Sequence, residues 1–392
     1  MTDRVTIADA AVRALRQRAF DEAIGLLEPE FAANGGDCVL ARLLGMAYFG
    51  SGDADKARPL LQKAVESGQR NGETCLCLSL SCENPADAIS AAFMGLSAEP
   101  ANADLHARAL QSMAVFPFEA RSSLLDRWTE CFASDTSRSS AINRLAELLG
   151  DHTHRVAILR LAARQMVEAG WTEDAVRAFH HSCEPLGSAT FDPSLLRDKF
   201  AALSDDYDED FWSGETARQF CGFIEESISF SPDWAALDAG CGTGLVGEWL
   251  APRVTRLDGI DLSADMLSQA RTKGIYETLA EGDITGEMEK PGRRASYHLV
   301  VCNWCLFYIP DLSDFFRAAS AALMPGGRLV LSVYPCLDDS DVMRKEAEAE
   351  FTHSRRYLRA LAKENGLEEE RVEIRLLCAH PGFYAVFVKP AS

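Results

Sequence analysis

A glycine-rich segment directly after a short apolar run restricts the fold of this chain more than any other feature. Residues 237–244 read Leu-Asp-Ala-Gly-Cys-Gly-Thr-Gly, and they continue apolar residues that begin at position 234. Glycines let the backbone approach a ligand where a Cβ would block it, and the helix predicted to follow presents free N–H groups. A strand, a glycine turn and a helix in this order predict a small ligand at the edge of an α/β sheet. Residues 242–247 also satisfy Gly-x-Gly-x-x-Gly, which alone is weak support for a nicotinamide or flavin dinucleotide.

Apolar runs alternate with helical patterns through the second half of the chain, which predicts a mainly parallel, doubly wound sheet with helices on both faces. Strands are predicted near residues 235–238, 256–261, 276–280, 297–303, 327–333, 371–378 and 383–388. Helices are predicted near residues 219–228, 245–251, 263–272, 312–323 and 352–365. The sequence His-Pro-Gly at 380–382 is predicted to be the turn of a final antiparallel hairpin.

Acids follow the first three predicted strands, at Asp238, Asp261 and Asp283. A carboxylate in the place of Asp261 accepts both hydroxyls of a ribose and repels a phosphate. The alternative for Asp261 is a helix N-cap, a role that Ser263 could supply instead. Asp261 is therefore the predicted ribose ligand of a nucleotide bound across the strand ends.

The string at 237–244 resembles the first motif of class I S-adenosylmethionine-dependent methyltransferases, and Met-Pro-Gly-Gly at 324–327 resembles the family's turn into its fifth strand. The resemblance covers about residues 200–390 and implies S-adenosylmethionine as cofactor and S-adenosylhomocysteine as product. It implies that the three acids approach the methionine amino group, the ribose and the adenine amino group in turn. The implied cofactor site consists of Asp238, Gly240, Gly242, Gly244, Asp261, Leu262, Met266, Asp283, Ile284 and Asn303. For Met266, ordinary core packing is an equal alternative.

The sequence is less specific about the methyl acceptor than about the cofactor. Asn303 and Trp304 follow the fourth strand and are expected to border the reacting methyl group, because open α/β sheets bind ligands at the carboxyl ends of their strands. Many relatives carry an acid here, and the Asp-Pro-Pro type of sequence used on nucleobases and glutamine is absent. The acceptor is therefore predicted to be a protein, a peptide or a small molecule, with Trp304, Tyr308 and Tyr357 lining its pocket.

Tyr207 and His353 are the candidates for a catalytic base. They lie in segments, Tyr-Asp at 207–208 and His-Ser-Arg-Arg-Tyr at 353–357, that resemble segments of a bacterial family of predicted methyltransferases with tetratricopeptide repeats. His353 is predicted to lie on an amphipathic helix, where a satisfied surface or core histidine is the alternative. Methyl transfer needs a base only where the acceptor begins protonated.

The first part of the chain shows helical periodicity that repeats. Equivalent alanines, Ala23 and Ala57, are 34 residues apart, Ala88 follows 31 residues later, and a further unit is predicted at 170–175. The pattern resembles the tetratricopeptide repeat, whose small residues let paired helices approach closely. Such an all-α domain is expected to hold a protein or peptide partner, with a spacer or dimerisation module as the alternative.

We therefore predict a tetratricopeptide-like domain over residues 1–190, a linker and lid segment over 191–230, and an S-adenosylmethionine-dependent methyltransferase domain over 231–392. The acidic run at 205–210 is either a solvated linker or part of a lid over the cofactor. An NAD-dependent oxidoreductase is one alternative function, although it leaves Asp238 and Asp283 without roles. A non-catalytic S-adenosylmethionine-binding scaffold is the other.

The charge and the composition of the chain argue against several other classes of protein and of binding partner. The net charge of −20 argues against a nucleic-acid partner, which needs a Lys/Arg surface. No apolar run reaches the roughly 18 residues of a membrane span, so no membrane partner is expected and a cytoplasmic location is the default. Most of the twelve cysteines are expected to be reduced and buried. Cys302-x-x-Cys305 lacks the second ligand pair of a zinc site, so no metal is predicted.

Overall fold

The computed structural model describes residues 2–132, 138–150, 154–187, 196–197, 199–200, 207–346 and 350–391. The chain divides into two compact units, Met1–Gln165 and Met166–Ser392. Of the predicted lid segment, residues 191–195, 198 and 201–206 lie outside the described residues, and so do residues 205–206 of the acidic run.

The first unit is built from helices. Their bounds are α1 Thr2–Arg16, α2 Phe20–Ala33, α3 Cys38–Ser51, α4 Ala54–Glu66, α5 Gly72–Ser81, α6 Pro85–Ala98, α7 Ala103–Met113, α8 Phe118–Glu130, α9 Arg138–Leu149 and α10 Arg155–Glu168, the last of which crosses the boundary between the units. Several begin at a side chain that accepts a hydrogen bond from a backbone N–H of the first turn, as Asp37 does for α3 and Asn102 for α7. The predicted all-α character of this region is confirmed.

Small residues lie where these helices approach one another. Ala23, Ala57 and Ala88 are all buried. A Cβ added to Gly45 in α3 would lie 2.8 Å from Cγ of Leu61 in α4. The residues predicted to pack one helix on the next therefore do so.

A buried histidine holds α7 against α8. The His106 ring is fully buried and stacks on Phe132 with 4.4 Å between ring centroids. The indole N–H of Trp128 donates to His106 Nδ1 at 3.1 Å, so Nε2 carries the proton and donates to the Pro100 carbonyl at 2.8 Å. Burial lowers the pKa of His106 to about 4.

We expect this histidine to make the chain less stable as the pH falls from about 6.5 to about 4. The unfolded chain binds a proton near pH 6.5 and the folded chain resists it down to the lower pKa. The free energy of unfolding therefore falls across this window, by up to about 3 kcal/mol. Urea unfolding followed by circular dichroism, compared between the native chain and His106→Phe, isolates this contribution. An identical pH dependence of the two chains would contradict it.

The second unit contains the strands. Their bounds are β1 Glu184–Pro185, β2 Ala235–Ala239, β3 Arg256–Asp261, β4 Thr278–Glu281, β5 Tyr297–Cys302, β6 Leu323–Cys336, β7 Val342–Glu346, β8 Glu350–Ser354, β9 Glu368–Leu377 and β10 His380–Val388. The α-helices of this unit are α11 Thr172–His180, α12 Phe211–Ser227, α13 Leu245–Leu250, α14 Ala264–Lys273, α15 Ile284–Met288, α16 Ser313–Ala322 and α17 Arg355–Glu364.

The strands form one mixed sheet. Strands β4, β3, β2, β5 and β6 are parallel neighbours in that order, and β10 pairs antiparallel with both β6 and β9. Strand order reverses between β2 and β5, which makes a topological switch point at the carboxyl ends of these two strands. The predicted doubly wound, Rossmann-like sheet is confirmed for this unit.

Strand β6 extends the sheet beyond its predicted end. Its last residues, Tyr334 to Cys336, pair with β8, and β7 and β1 continue from there as antiparallel neighbours. Three of these strands were not predicted, because β1 has two residues and β7 and β8 have five each with no clear alternation. They add a small wing of sheet next to the carboxyl end of β6.

Two predicted local features were wrong. His353 lies in β8 and not on a helix: it pairs with Pro335 and Val342, and the helix begins only after Ser354, whose Oγ accepts from the N–H of Tyr357. The final hairpin turns at residues 378–379 and not at 380–382, which belong to β10. Gly382 is needed inside the strand, because a Cβ there would lie 2.4 Å from Cβ of Leu377.

The predicted domain boundary at residue 190 falls inside the second unit. Helix α11, which contains the repeat-like segment at 170–175, packs in that unit. The Phe179 ring lies 5.8 Å from the ring of Tyr334 and 5.4 Å from that of His380, centroid to centroid. These contacts tie α11 to the sheet.

Candidate functional site

A cleft opens at the carboxyl ends of β2, β3, β4 and β5, at the switch point of the sheet. It contains about 970 Å³ of empty space, its open mouth included, which suits a small molecule. Predicted cofactor residues that line it are Asp238, Gly240, Gly242, Asp261, Leu262, Met266, Asp283, Ile284 and Asn303. The structure therefore brings together side chains that lie up to 65 positions apart in the sequence, from Asp238 to Asn303.

The glycine loop has the backbone shape that its sequence predicts. Gly240, Gly242 and Gly244 have φ of +79°, +53° and +95°. A Cβ at Gly240 would lie 2.9 Å from Sγ of Cys305, so that position is closed to a side chain. A Cβ at Gly242 would meet no atom within 4 Å, so there the backbone borders open space. The loop is a cradle that a side chain at Gly242 would partly fill.

Asp261 fastens this loop to the end of β3. Its Oδ2 accepts from the N–H of Gly242 at 2.8 Å, and its Oδ1 accepts from the N–H of Ser263 at 2.9 Å. The N-cap of α14 is Ser263, whose Oγ accepts from the N–H of Met266 at 3.3 Å. Helix capping therefore does not account for Asp261, which lines the cleft.

Asp238 is buried at the base of the cleft, and one tyrosine holds it. The hydroxyl of Tyr276 donates to its Oδ2 at 2.8 Å. Burial raises the pKa of Asp238 to about 7, with a further increase from the charge of Asp261, while the hydrogen bond from Tyr276 acts in the opposite direction. Its protonation state can thus change near neutral pH. The Tyr276 hydroxyl would also lie 2.1 Å from a Cβ at Gly247, which explains the glycine there.

The third acid has a structural role as well. Asp283 is exposed and caps the short helix α15, because its Oδ2 accepts from the N–H of Gly286 at 2.8 Å. Ile284 and Met266 are buried and line the cleft beside it. Met266 therefore fulfils both predicted roles, because it packs in the core and also lines the cleft.

The end of β5 is organised by a serine. Ser332 Oγ donates to Oδ1 of Asn303 at 2.8 Å and accepts the backbone N–H of Trp304 at 2.9 Å. Trp304 has a φ of +50°, which is uncommon for a residue other than glycine. The serine thus holds the side-chain amide of Asn303 and the backbone of Trp304, the two residues that the sequence predicts to border the reacting group.

The segment before α12 is fixed over the glycine loop. Asp208 Oδ2 lies 2.8 Å from Nζ of Lys273, and its Oδ1 accepts the hydroxyl of Thr243. Lys273 is 14% exposed and also contacts Oε2 of Glu248 at 2.9 Å. We call Asp208, Thr243 and Lys273 the latch. Tyr207, the residue directly before Asp208, lines the cleft.

We expect Asp208→Asn to release a bound nucleoside ligand about 3- to 10-fold faster, because a partly buried charged hydrogen bond is lost. Stopped-flow displacement of S-adenosylhomocysteine measures this rate. Glu209→Gln, at the exposed neighbouring position, removes the same charge without touching the latch and serves as the control. Equal release rates for the two variants would show that the latch does not hold the ligand.

Three predicted residues do not line the cleft: Gly244, which is the N-cap residue of α13, His353 and Tyr357. His353 is fully buried, donates from Nε2 to the Ile309 carbonyl at 3.0 Å, and its pKa is lowered to about 4 by burial. The Tyr357 hydroxyl donates to Asp311 Oδ1 at 3.1 Å and accepts the N–H of Leu312 at 2.9 Å. Of the predicted base and pocket residues, Tyr207, Trp304 and Tyr308 do line the cleft.

Sequence reasoning missed other lining residues, among them Ser213, Ala217, Cys241, Thr243 and Cys305. Cys241 and Thr243 lie inside the glycine string and could have been inferred from it. Ser213 and Ala217 come from α12 and carry no sequence signal for a site.

Within the described residues, no group of three or more His, Cys, Asp or Glu side chains is arranged to hold a metal ion. Among the same residues, no helix combines the length and the apolar character needed to cross a bilayer.

Comparison with known proteins identifies the segment around the glycine loop. Residues 237–331 match a family model described as "Methyltransferase domain". The ubiquinone biosynthesis O-methyltransferase of Marinobacter nauticus is 32% identical over 117 residues, which are 28% of this chain and 48% of that protein. The protein of the same name from Xanthomonas oryzae pv. oryzae is 30% identical over 159 residues, 37% of this chain and 62% of that protein.

A solved structure is similar as well. The 1,6-didemethyltoxoflavin-N1-methyltransferase of Burkholderia thailandensis, solved with S-adenosylhomocysteine, has a TM-score of 0.43 and 19% identity, over 53% of this chain and 94% of that one. The chain spans about half to three fifths of the length of the curated relatives it matches. Residues 237–331, which carry the glycine loop and the acids of the cleft, are therefore similar to methyltransferase domains.

Proposed function

We propose that this chain transfers a methyl group from S-adenosylmethionine to a hydroxyl oxygen of a small molecule. The observation that carries the proposal is the cleft itself, where a glycine cradle and three carboxylates converge at the switch point of the sheet. The matching relatives are named O-methyltransferases, which favours oxygen as the acceptor atom. The family match also argues against the nicotinamide alternative.

The residues of the cleft fit this donor. Gly242 borders open space against which an amino-acid chain could lie, and Asp238 could accept a cationic amino group. Asp261 keeps lone pairs for ribose hydroxyls beyond its two backbone bonds, since a carboxylate accepts about four hydrogen bonds. Met266 and Ile284 offer apolar contacts for an adenine, and Asp283 lies beside them.

The donor supplies a methyl group on a positively charged sulfur. The acceptor oxygen forms a bond to the methyl carbon while the carbon–sulfur bond breaks and leaves its electron pair on sulfur; the hydroxyl proton passes to solvent. The chain contributes alignment and exclusion of water. Tyr207 lines the cleft, but burial raises the pKa of its phenol, so it stays protonated and positions the acceptor rather than taking its proton.

We expect donor affinity to rise as the pH rises through about 7. Below the pKa of Asp238 its carboxyl is neutral and offers no charge to an ammonium group, so affinity falls about tenfold per pH unit. Tyr276→Phe removes the hydrogen bond that lowers this pKa and should move the midpoint upward. Calorimetric titration with S-adenosylhomocysteine between about pH 5.5 and 8.5 measures the midpoint. Tyr297→Phe removes a hydroxyl from Asp258, outside the cleft, and is the matched control; equal midpoints in the two variants would contradict the assignment.

The test of the function is the fate of the methyl group. The full chain is incubated with tritiated S-adenosylmethionine and either a metabolite extract or a protein lysate from which small molecules have been removed. Label in the small-molecule fraction is expected, and label confined to protein would overturn the small-molecule acceptor. Binding of the donor without transfer to either pool would favour the non-catalytic scaffold.

We also propose that the helical unit consists of tetratricopeptide-like repeats that recruit or position a partner. The buried alanines at the repeat period and the close approach at Gly45 support this. In the experiment above, label in the protein lysate would indicate that the unit delivers a protein acceptor.

A further inference from the structure

A second cavity shares a wall with the cleft. It contains about 1090 Å³ of empty space, its open mouth included, and the residues that line both cavities are Phe200, Tyr207, Ser213, Trp304 and Tyr308. We call the second cavity the aromatic chamber. The shared wall includes Trp304 and stands at the end of β5, where the acceptor is expected to meet the donor.

Aromatic rings in mutual contact line this chamber. Ring centroids lie 6.4 Å apart for Tyr207 and Trp304, 4.4 Å for Phe307 and Tyr308, and 4.8 Å for Phe307 and Tyr334. Faces and edges of such rings hold another planar ring by offset or edge-to-face packing, a preference that a saturated ring cannot exploit. The lining favours a planar aromatic occupant.

A buried ion pair forms the polar part of the lining. Lys345 Nζ lies 2.6 Å from Oε2 of Glu350, and the two side chains are 7% and 17% exposed. The same ammonium lies 4.6 Å from the centroid of the Tyr334 ring. Neither charged residue lines the donor cleft. Buried charges are stabilised by additional hydrogen bonds, so this pair offers polar partners to a hydroxylated occupant.

The charges of the chamber cancel. Lys199 and Lys345 on its lining are matched by Asp210 and Glu350. A strongly anionic or cationic molecule therefore finds no excess of opposite charge among these residues. The indole N–H of Trp304, shielded from solvent beside the shared wall, interacts with the hydroxyl of Tyr334, so these two groups form a second polar part of the lining.

We infer that the aromatic chamber binds the methyl acceptor, and that this acceptor is an uncharged planar aromatic compound with a hydroxyl group. Its ring packs on the aromatic wall, its reacting hydroxyl lies at the wall shared with the cleft, and further polar substituents reach Lys345 and Glu350. This inference rests on the proposed function, because it names the substrate class of the same site.

The test compares 2-naphthol with decahydro-2-naphthol, which has the same carbon skeleton and hydroxyl but no planar ring. Each is titrated into the full chain saturated with S-adenosylhomocysteine, with binding followed by saturation-transfer NMR and calorimetry. We expect 2-naphthol to bind at least about tenfold more tightly. Equal binding of the two, or binding of neither, would overturn the inference.

Variants of Tyr334 locate the bound probe, since this side chain lines the chamber and not the cleft. Tyr334→Phe keeps the ring and should retain 2-naphthol affinity, whereas Tyr334→Leu should lose it about fivefold or more. Both should retain affinity for S-adenosylhomocysteine, which also reports correct folding. An equal 2-naphthol affinity in both variants would place the probe elsewhere.

A measurement on the native chain covers the case in which the leucine variant does not fold. Cys378 lines the chamber and is partly exposed, whereas Cys38 lies in the helical unit. Bound 2-naphthol should slow the alkylation of Cys378 by N-ethylmaleimide and leave that of Cys38 unchanged. Unchanged alkylation of Cys378 would overturn the inference. Methyl transfer to some small molecule, together with that result, would uphold the proposed function while removing this acceptor class.

Discussion

Replacing Asp261 by alanine is expected to weaken S-adenosylhomocysteine binding by about 100-fold, because hydrogen bonds to a charged group contribute about 1.5–3 kcal/mol each. The loss has two sources. The ribose would lose its carboxylate, and the N–H groups of Gly242 and Ser263 would lose the acceptor that holds them at 2.8 and 2.9 Å. Calorimetry gives the dissociation constant directly.

Asp261→Asn separates the two sources. The amide retains one acceptor oxygen, so one backbone contact can persist while the charge is lost, and an intermediate affinity is expected. Asp265→Asn, on the exposed first turn of α14, is the matched control and should bind as the native chain does. Helix α14 keeps its cap at Ser263 in all three variants. A native dissociation constant for Asp261→Ala would remove this residue from the donor site.

Filling the glycine cradle should have an effect of similar size. We expect Gly242→Val to reduce donor affinity by about 100-fold, because its side chain enters the open space that borders the loop. The substitution also strains the backbone, since φ at this position is +53° and a β-branched residue is disfavoured there.

Gly274→Val provides the control for that strain. Gly274 has a φ of +64°, no atom within 4 Å of an added Cβ, and a position at the end of α14 outside the cleft. The two variants should lose similar melting temperature, while only Gly242→Val should lose donor binding. Equal donor affinity in the two variants would show that the open space at Gly242 is not donor space.

The central sheet and the donor side of the cleft could be predicted from sequence because their signals are local. Each acid lies within two residues of the end of its strand, and parallel strands bring their carboxyl ends to one edge. The β-strand position of His353 could not be predicted, because it depends on pairing with Pro335 and Val342 and on the cap at Ser354. The same holds for Tyr276, whose hydroxyl reaches Asp238 across 38 positions of sequence.

The residues of the acceptor side could not be predicted from the sequence for a related reason. Lys345 and Glu350 belong to short strands that depend on the continuation of β6 past its predicted end. A strand of five residues is too short to show a pattern from which it could be predicted. The tie between α11 and the sheet depends on contacts of Phe179 with rings more than 150 positions away. Helical periodicity, which carries no information on such contacts, therefore led to the prediction that α11 belongs to the repeats.

The continuation of β6 has a consequence for how such a protein can diverge. Among the described residues, the segment 337–354 gives none of its side chains to the donor cleft, whereas Lys345 and Glu350 from it line the aromatic chamber. Mutations that reshape this wing leave the residues of the methyl-donor cleft unchanged. Changes confined to this segment could thus give a related protein a different acceptor without altering its methyl donor.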